Sequence, residues 1–171
     1  MPIKFKFRPF LTVVFCLAFQ IFFLRDISIG SYAFCFIYLW PIVKAPLDVP
    51  PILFVIFAFI LGWFVDIFYN THGMHAAACL VIAFLRPSLI NVLTPANGYD
   101  DRSNISLKEM SWLWYLPFVF IILLAHHLIL FLLEASDTSL IWMSLIRSVF
   151  SAVLGLLVFL TFELFDKKGF I

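Results

Sequence analysis

Long apolar runs nearly free of charge constrain this chain more than any other feature of it. From Trp112 to Leu133 there is no Asp, Glu, Lys or Arg, and from Val49 to Val65 there is none either. A bilayer hydrocarbon layer of about 30 Å is crossed by roughly 20 such residues in a helix. That layer offers no water to backbone N–H and C=O groups, so the runs must close their own hydrogen bonds, as helices do. Barrel strands would place a polar residue at every second position, and these runs do not. Composition agrees: of 171 residues, 64% are hydrophobic and 12% charged, against an apolar share of about half in soluble domains. The sequence predicts an all-α polytopic transmembrane bundle of about six helices. It forms a single integral membrane domain over residues 1–171, with little chain left for a soluble one.

The expected spans are 9–24, 32–43, 51–69, 74–93, 112–133 and 140–162. Arg25 and Asp26 close the first. No small-x-small cleavage site follows it, so it reads as a retained helix rather than a signal peptide. The second is short and carries Pro41, which predicts a tilted, kinked or partly spanning segment. Asp48 before Pro50 and Pro51 reads as a cap followed by prolines that fit a first helical turn. Asn70-Thr71-His72-Gly73 is a compact reversal, since Asn and Gly tolerate left-handed backbone. It predicts a tight antiparallel hairpin of spans three and four, the fourth kinked at Pro87. Thr94 to Glu109, with Pro95, Asn97-Gly98 and Asp100-Asp101, is the one long polar stretch and reads as a loop.

Lys and Arg in short loops favour the cytoplasmic side. With six spans and an inner N-terminus, that side holds Lys4, Lys6, Arg8, Lys44, Arg102, Lys108, Lys167 and Lys168, and the outer loops hold Arg25. Both termini are therefore expected in the cytoplasm. Trp40, Trp112, Trp114 and Trp142 fall near the expected interfaces, where an aromatic belt forms.

Several function classes drop out. A net charge of +1, with no basic stripe, excludes the electrostatic footprint of a nucleic-acid binder. Cys16, Cys35 and Cys79 lie in apolar segments without CxxC spacing and read as small buried hydrophobes. No nucleophile elbow, phosphate loop or HExxH is present. No catalytic residue, cofactor or metal is expected. His72 and His75, near Asp66 and Asn70, lack a convincing third ligand. The adjacent His126 and His127 point to different helix faces and read as packed or hydrogen-bonded.

Ionisable residues inside a span cost roughly 3 kcal/mol or more and require a partner or a role. Asp66, Arg86, Arg147 and Glu163 are the cases. Gly62, Asp66 and Asn70 recur at intervals of four and share one helical face. Across the hairpin turn that face meets Ala76, Ala77 and Ala78, small residues that allow close backbone approach. Arg86 lies roughly 14 Å deeper than Asp66, whereas Arg147 lies within roughly 6 Å of it in depth. The sequence thus predicts an Asp66–Arg147 pair, with Arg86 snorkelling towards the other face, where Glu163 is its expected partner.

The hairpin also carries a family resemblance. Leu61-Gly62-Trp63-Phe64-Val65-Asp66-Ile67-Phe68, then Gly73-Met74-His75-Ala76-Ala77-Ala78, then Phe84-Leu85-Arg86-Pro87, resembles the rod shape-determining protein MreD family. Thr94-Pro95 and Gly98-Tyr99-Asp100 are similar to the loop that follows in that family. The motif similarity is concentrated in residues 47–101, while size, span number and orientation agree over the whole chain. The resemblance implies a non-enzymatic inner-membrane scaffold of the bacterial cell-elongation machinery. It implies an MreC-like bitopic partner and, through it, MreB, a RodA-type glycosyltransferase and a penicillin-binding transpeptidase. It also implies a fold like the six-helix substrate-binding subunits of energy-coupling vitamin transporters. The rival expectation is such a subunit itself, with a small-molecule pocket near Asp66 and His75.

Overall fold

The structure is a computed structural model and describes residues 7–99, 104–135 and 137–165, with the side chains of Phe7 and Arg8 left out. Lys4, Lys6, Asp100, Asp101, Arg102, Asp166, Lys167 and Lys168 lie outside the described residues, as does the Arg8 side chain.

Four helices are long and apolar enough to cross a membrane: α3 (Pro51–Tyr69), α4 (Met74–Val92), α6 (Trp112–Glu134) and the stretch Thr138–Phe165, whose α-helical part is α7 (Ile141–Phe165). At 1.5 Å per residue each reaches about 28 Å or more, the thickness of the hydrocarbon layer. The chain is an α-helical membrane protein. A shorter apolar helix, α1 (Phe7–Phe19), runs on through a widened turn at Gln20–Leu24. α3 packs on α4, α4 on α6 and α6 on α7. Pro50 and Pro51 start α3, where a missing N–H costs nothing. Asn70 ends it in the left-handed conformation (φ 57°), donating its backbone N–H to the Asp66 carbonyl. Outside the spanning helices, Asp137 accepts the Ser139 N–H at 2.7 Å, and this bond holds its carboxyl below the usual range.

The expected second span is not a continuous helix. Ser28–Ile29 (β1) and Ala33–Phe34 (β2) form a small antiparallel hairpin, with Ser28 opposite Phe34 and Ile29 opposite Ala33. It turns at Gly30 and Ser31, both at positive φ. A 3-10 turn at Ile37–Leu39 and the four-residue α2 (Trp40–Val43) follow. Every residue from Phe36 to Ala45 is buried. The segment nevertheless runs alongside α7. The Phe34 N–H donates to Ser151 Oγ at 2.9 Å, and the Lys44 Nζ donates to Glu163 Oε1 at 2.6 Å; those two acceptors lie roughly 18 Å apart along α7. A run of this length is too short to cross as a helix, but extended backbone advances about 3.3 Å per residue against 1.5 Å in a helix. Non-helical backbone is tolerated at membrane depth only where protein surrounds it and satisfies its polar groups. Side chains do so here: Ser151 takes the Phe34 N–H and Gln20 Oε1 takes the Ile37 N–H at 2.8 Å.

The interfacial tryptophans divide. Trp112 and Trp142 are exposed, as a belt requires, whereas Trp40 and Trp114 are buried core residues. Trp40 stacks edge-on against Phe159 and Phe162, and Trp114 donates to Tyr99 Oη at 3.0 Å.

Candidate functional site

Polar groups gather at the two ends of the bundle, and each end solves a different problem. At one end the α3–α4 turn brings Asp66 over the first turn of α4. Gly73 occupies the capping position of α4 and has no side chain to offer. Asp66 caps that helix from its neighbour instead: Oδ1 accepts the His75 N–H at 3.0 Å and Oδ2 the Ala76 N–H at 2.9 Å. Thr71 Oγ1 donates to Asp66 Oδ1 at 2.5 Å, and His75 Nδ1 lies 3.2 Å from the same oxygen. A carboxylate facing free N–H groups at a helix start is stabilised by those bonds and by the positive end of the helix dipole. The buried charge is thus accounted for within the hairpin.

The predicted Asp66–Arg147 pair does not form, because the donors of the turn occupy Asp66. Arg147 is half-buried on α7, and its Nε has no hydrogen-bond partner among the described residues. One turn before Asp66, Gly62 lies against α4: a β-carbon there would meet His75 O at 2.6 Å and Ala76 Cα at 2.7 Å. Ala76 and Ala78 are buried, Ala77 is half-buried, and Asn70 and Pro87 are exposed. α4 runs through Pro87 as a single helix.

Behind this hairpin sit three buried imidazoles. His75, His126 and His127 surround the Phe36 ring at centroid distances of 5.6, 5.9 and 5.3 Å. The Tyr38 hydroxyl and His126 Nε2 are 2.6 Å apart, and His127 Nδ1 lies 2.5 Å from the Leu123 carbonyl. His75 Nε2, His126 Nδ1 and His127 Nε2 are buried without partners among the described residues. His72 is exposed in the turn at φ 52°. Thr71, Asp66 and His75 do not form a nucleophilic triad. A base would take the hydroxyl proton at Nε2 while the carboxylate held Nδ1; here the hydroxyl sits on the Nδ1 side with the carboxylate.

At the opposite end Glu163 is buried with Lys44, not with Arg86. Glu163 Oε1 also accepts from the Tyr115 hydroxyl at 3.1 Å, and Oε2 accepts the Leu107 N–H at 3.3 Å. Lys44 Nζ lies 5.2 Å from the centre of the Trp40 ring. Arg86 donates instead to the carbonyls of Ala45 and Pro46, the latter at 3.2 Å, and its guanidinium lies 4.7 Å from the Phe54 ring centre. Lys44 and Arg86 therefore both hold the end of the unwound segment, Lys44 by tying it to α7 and Arg86 by binding its carbonyls from α4. By sequence Lys44 falls in a cytoplasmic loop; in the structure it is buried. The available signal was Glu163, a span carboxylate that demanded a cation, together with an aromatic residue four positions before Lys44.

Comparison with protein-family models, with curated proteins and with solved structures yields no match to this chain. What the geometry defines is a class: a small α-helical membrane protein whose intramembrane charges are held by internal partners at the two ends of the bundle, with Arg147 the exception among the described residues.

Proposed function

We propose that this chain is an MreD-like, non-enzymatic scaffold of the bacterial inner membrane that supports cell shape and lateral peptidoglycan synthesis by binding an MreC-like bitopic protein. Through that partner it joins MreB, a RodA-type glycosyltransferase and a penicillin-binding transpeptidase. The observation that supports this reading best is the hairpin. Gly62, Asp66, His75 and Ala76, which carry the resemblance, are also the residues that lock α3 to α4. A protein with little mass outside the bilayer meets partners through helix faces and short loops, and a rigid hairpin presents such a face in one register. Each interhelical hydrogen bond with a docking helix adds about 1 kcal/mol.

Crosslinking pull-down from native membranes tests the proposal. It should recover an MreC-like protein, and depletion of this chain should round the cells. Recovery of vitamin-transport ATPases without any elongation protein would overturn it. That outcome would favour the second reading, a small-molecule-binding subunit of an energy-coupling-type transporter. One observation supports the second reading: a cavity of about 290 Å³ opens beside Thr71 and His75.

A further inference from the structure

We propose that Arg147 is the docking point for a transmembrane helix of a partner protein, and that this helix carries an Asp or Glu which pairs with the guanidinium inside the bilayer. This rests on the scaffold reading for the existence of a membrane partner and adds the residue that the partner must carry.

The other span charges are held from within. Asp66 caps α4, Glu163 holds Lys44, and Arg86 binds the Ala45 and Pro46 carbonyls. Arg147 has no such contact among the described residues. Only its Nε is enclosed, and that atom has no acceptor; the two terminal nitrogens are open at the surface of the half-buried side chain, equally unpartnered.

Depth makes this arrangement costly. Trp142, 72% exposed, marks the interface on α7. Arg147 follows it by five residues, about 7.5 Å further into the hydrocarbon, where a cation demands a counter-charge. Snorkelling to the headgroups is the ordinary relief for an arginine near a helix end. It lays the whole side chain, Nε included, along the lipid-facing surface. With Nε enclosed, the stem lies against the protein instead, and only the fork of terminal donors is left open.

That fork selects the counter-ion. Two N–H donors in fixed planar geometry match a carboxylate bidentately. Both span carboxylates of this chain are already engaged, so a second copy does not supply it at this depth. In lipid the backbone that brings it must be helical. α7 offers such a helix a seam: Met143, Arg147, Phe150, Leu154 and Leu157 follow one another at alternating intervals of four and three. Phe150 and Leu157 are exposed at 56% and 57%, and the other three are half-buried. This is the spacing along which two helices interlock, and a single polar residue within it fixes their register.

The test uses the full-length chain in its native membranes, with photoreactive benzoylphenylalanine in place of Phe150. It should capture a protein, and the crosslinked peptide should come from an apolar span containing Asp or Glu. Arg147→Leu should lower co-purification of that protein about ten-fold, the loss expected for one interhelical pair. Arg147→Glu should lower it further, and changing the partner's carboxylate to Lys should restore capture by Arg147→Glu. The thermal midpoint of purified Arg147→Leu should equal or exceed that of wild type, since no internal bond is lost. A lowered midpoint would make Arg147 a structural residue and overturn the proposal. So would a captured span without a carboxylate, capture of lipid alone, or co-purification indifferent to Arg147→Leu. In the last case the partner is still recovered, so the scaffold reading stands while the pairing fails; a wild-type pull-down that recovers no membrane partner sinks both.

Discussion

Gly62 has no room for a side chain. A single added carbon would press on α4 backbone rather than on a side chain able to rotate, so relief requires the two helices to separate. Gly62→Ala is expected to cost about 2–3 kcal/mol or more by overpacking, seen as a lower thermal midpoint in detergent and reduced accumulation in membranes. Ala78→Gly, at another buried position of α4, is the control; it should lower stability by only about 1 kcal/mol, through helix propensity. Asp66→Ala removes the acceptor for the Thr71 hydroxyl and for two helix-start N–H groups. About 3 kcal/mol is expected from the loss of charge-assisted bonds to buried donors, with Asp66→Asn intermediate because its amide oxygen still accepts. Equal midpoints for wild type and Asp66→Ala would refute the cross-helix cap. The face shared by Gly62 and Asp66 was legible from their spacing, and so was Ala76 as a small residue opposite it. The partner of Asp66 was not. Depth along helices matches charge with charge, whereas the actual donors are backbone N–H groups exposed only because Gly73 leaves the start of α4 uncapped.

At the scale of elements, the segment from Ala33 to Ala45 departs most from expectation. Its apolar composition placed it correctly inside the bundle, but hydropathy alone does not distinguish a continuous helix in lipid from a broken segment of short strand and single helical turns in a protein core. The deciding signals are local: the positive-φ turn at Gly30-Ser31, the aromatic and β-branched run that follows, and Pro41 within a stretch too short to span as a helix. Its lower end is held by Lys44 on Glu163, both about 95% buried. Removing either partner alone leaves an uncompensated buried charge at a cost of about 3–5 kcal/mol, whereas replacing both with apolar residues is close to neutral. Lys44→Met and Glu163→Met are each expected to reduce the folded fraction sharply, with the double variant recovering most of the loss. Thermal midpoints of the three purified variants provide the check. A double variant no better than the worse single one would mean that Glu163 acts chiefly through Tyr115 and the Leu107 N–H.

For the whole molecule, all four spanning helices follow the unwound segment in the chain, but no charge inside the bundle says which end faces the cytoplasm. Loop charge sets the orientation, and much of that charge lies in residues outside those described. The fold sharpens it in one respect. Lys44, Arg86 and Glu163 share one end, where the loop leading to α5 (Leu107–Met110) also docks, with Ile105 fully buried. Asp66, His75 and the β1–β2 hairpin share the other. If α1 and the unwound segment each complete a crossing, both termini lie with Lys44, and Lys108 joins them. The positive-inside tendency then places that end in the cytoplasm. Alkaline phosphatase, active only outside the cytoplasm, should be active when fused after His72 and inactive when fused after Asn97; a cytoplasmic fluorescent reporter should give the reverse. Activity at both sites would mean that α4 fails to cross, and the opposite pattern would invert the bundle. In the inverted case the cavity beside His75 would no longer open on the outer face. Labelling Cys35, which lines that cavity, in intact cells and in inverted vesicles with the same impermeant thiol-reactive sulfonate then gives an independent reading of the same question, because its access depends on the cavity mouth and not on a fused domain.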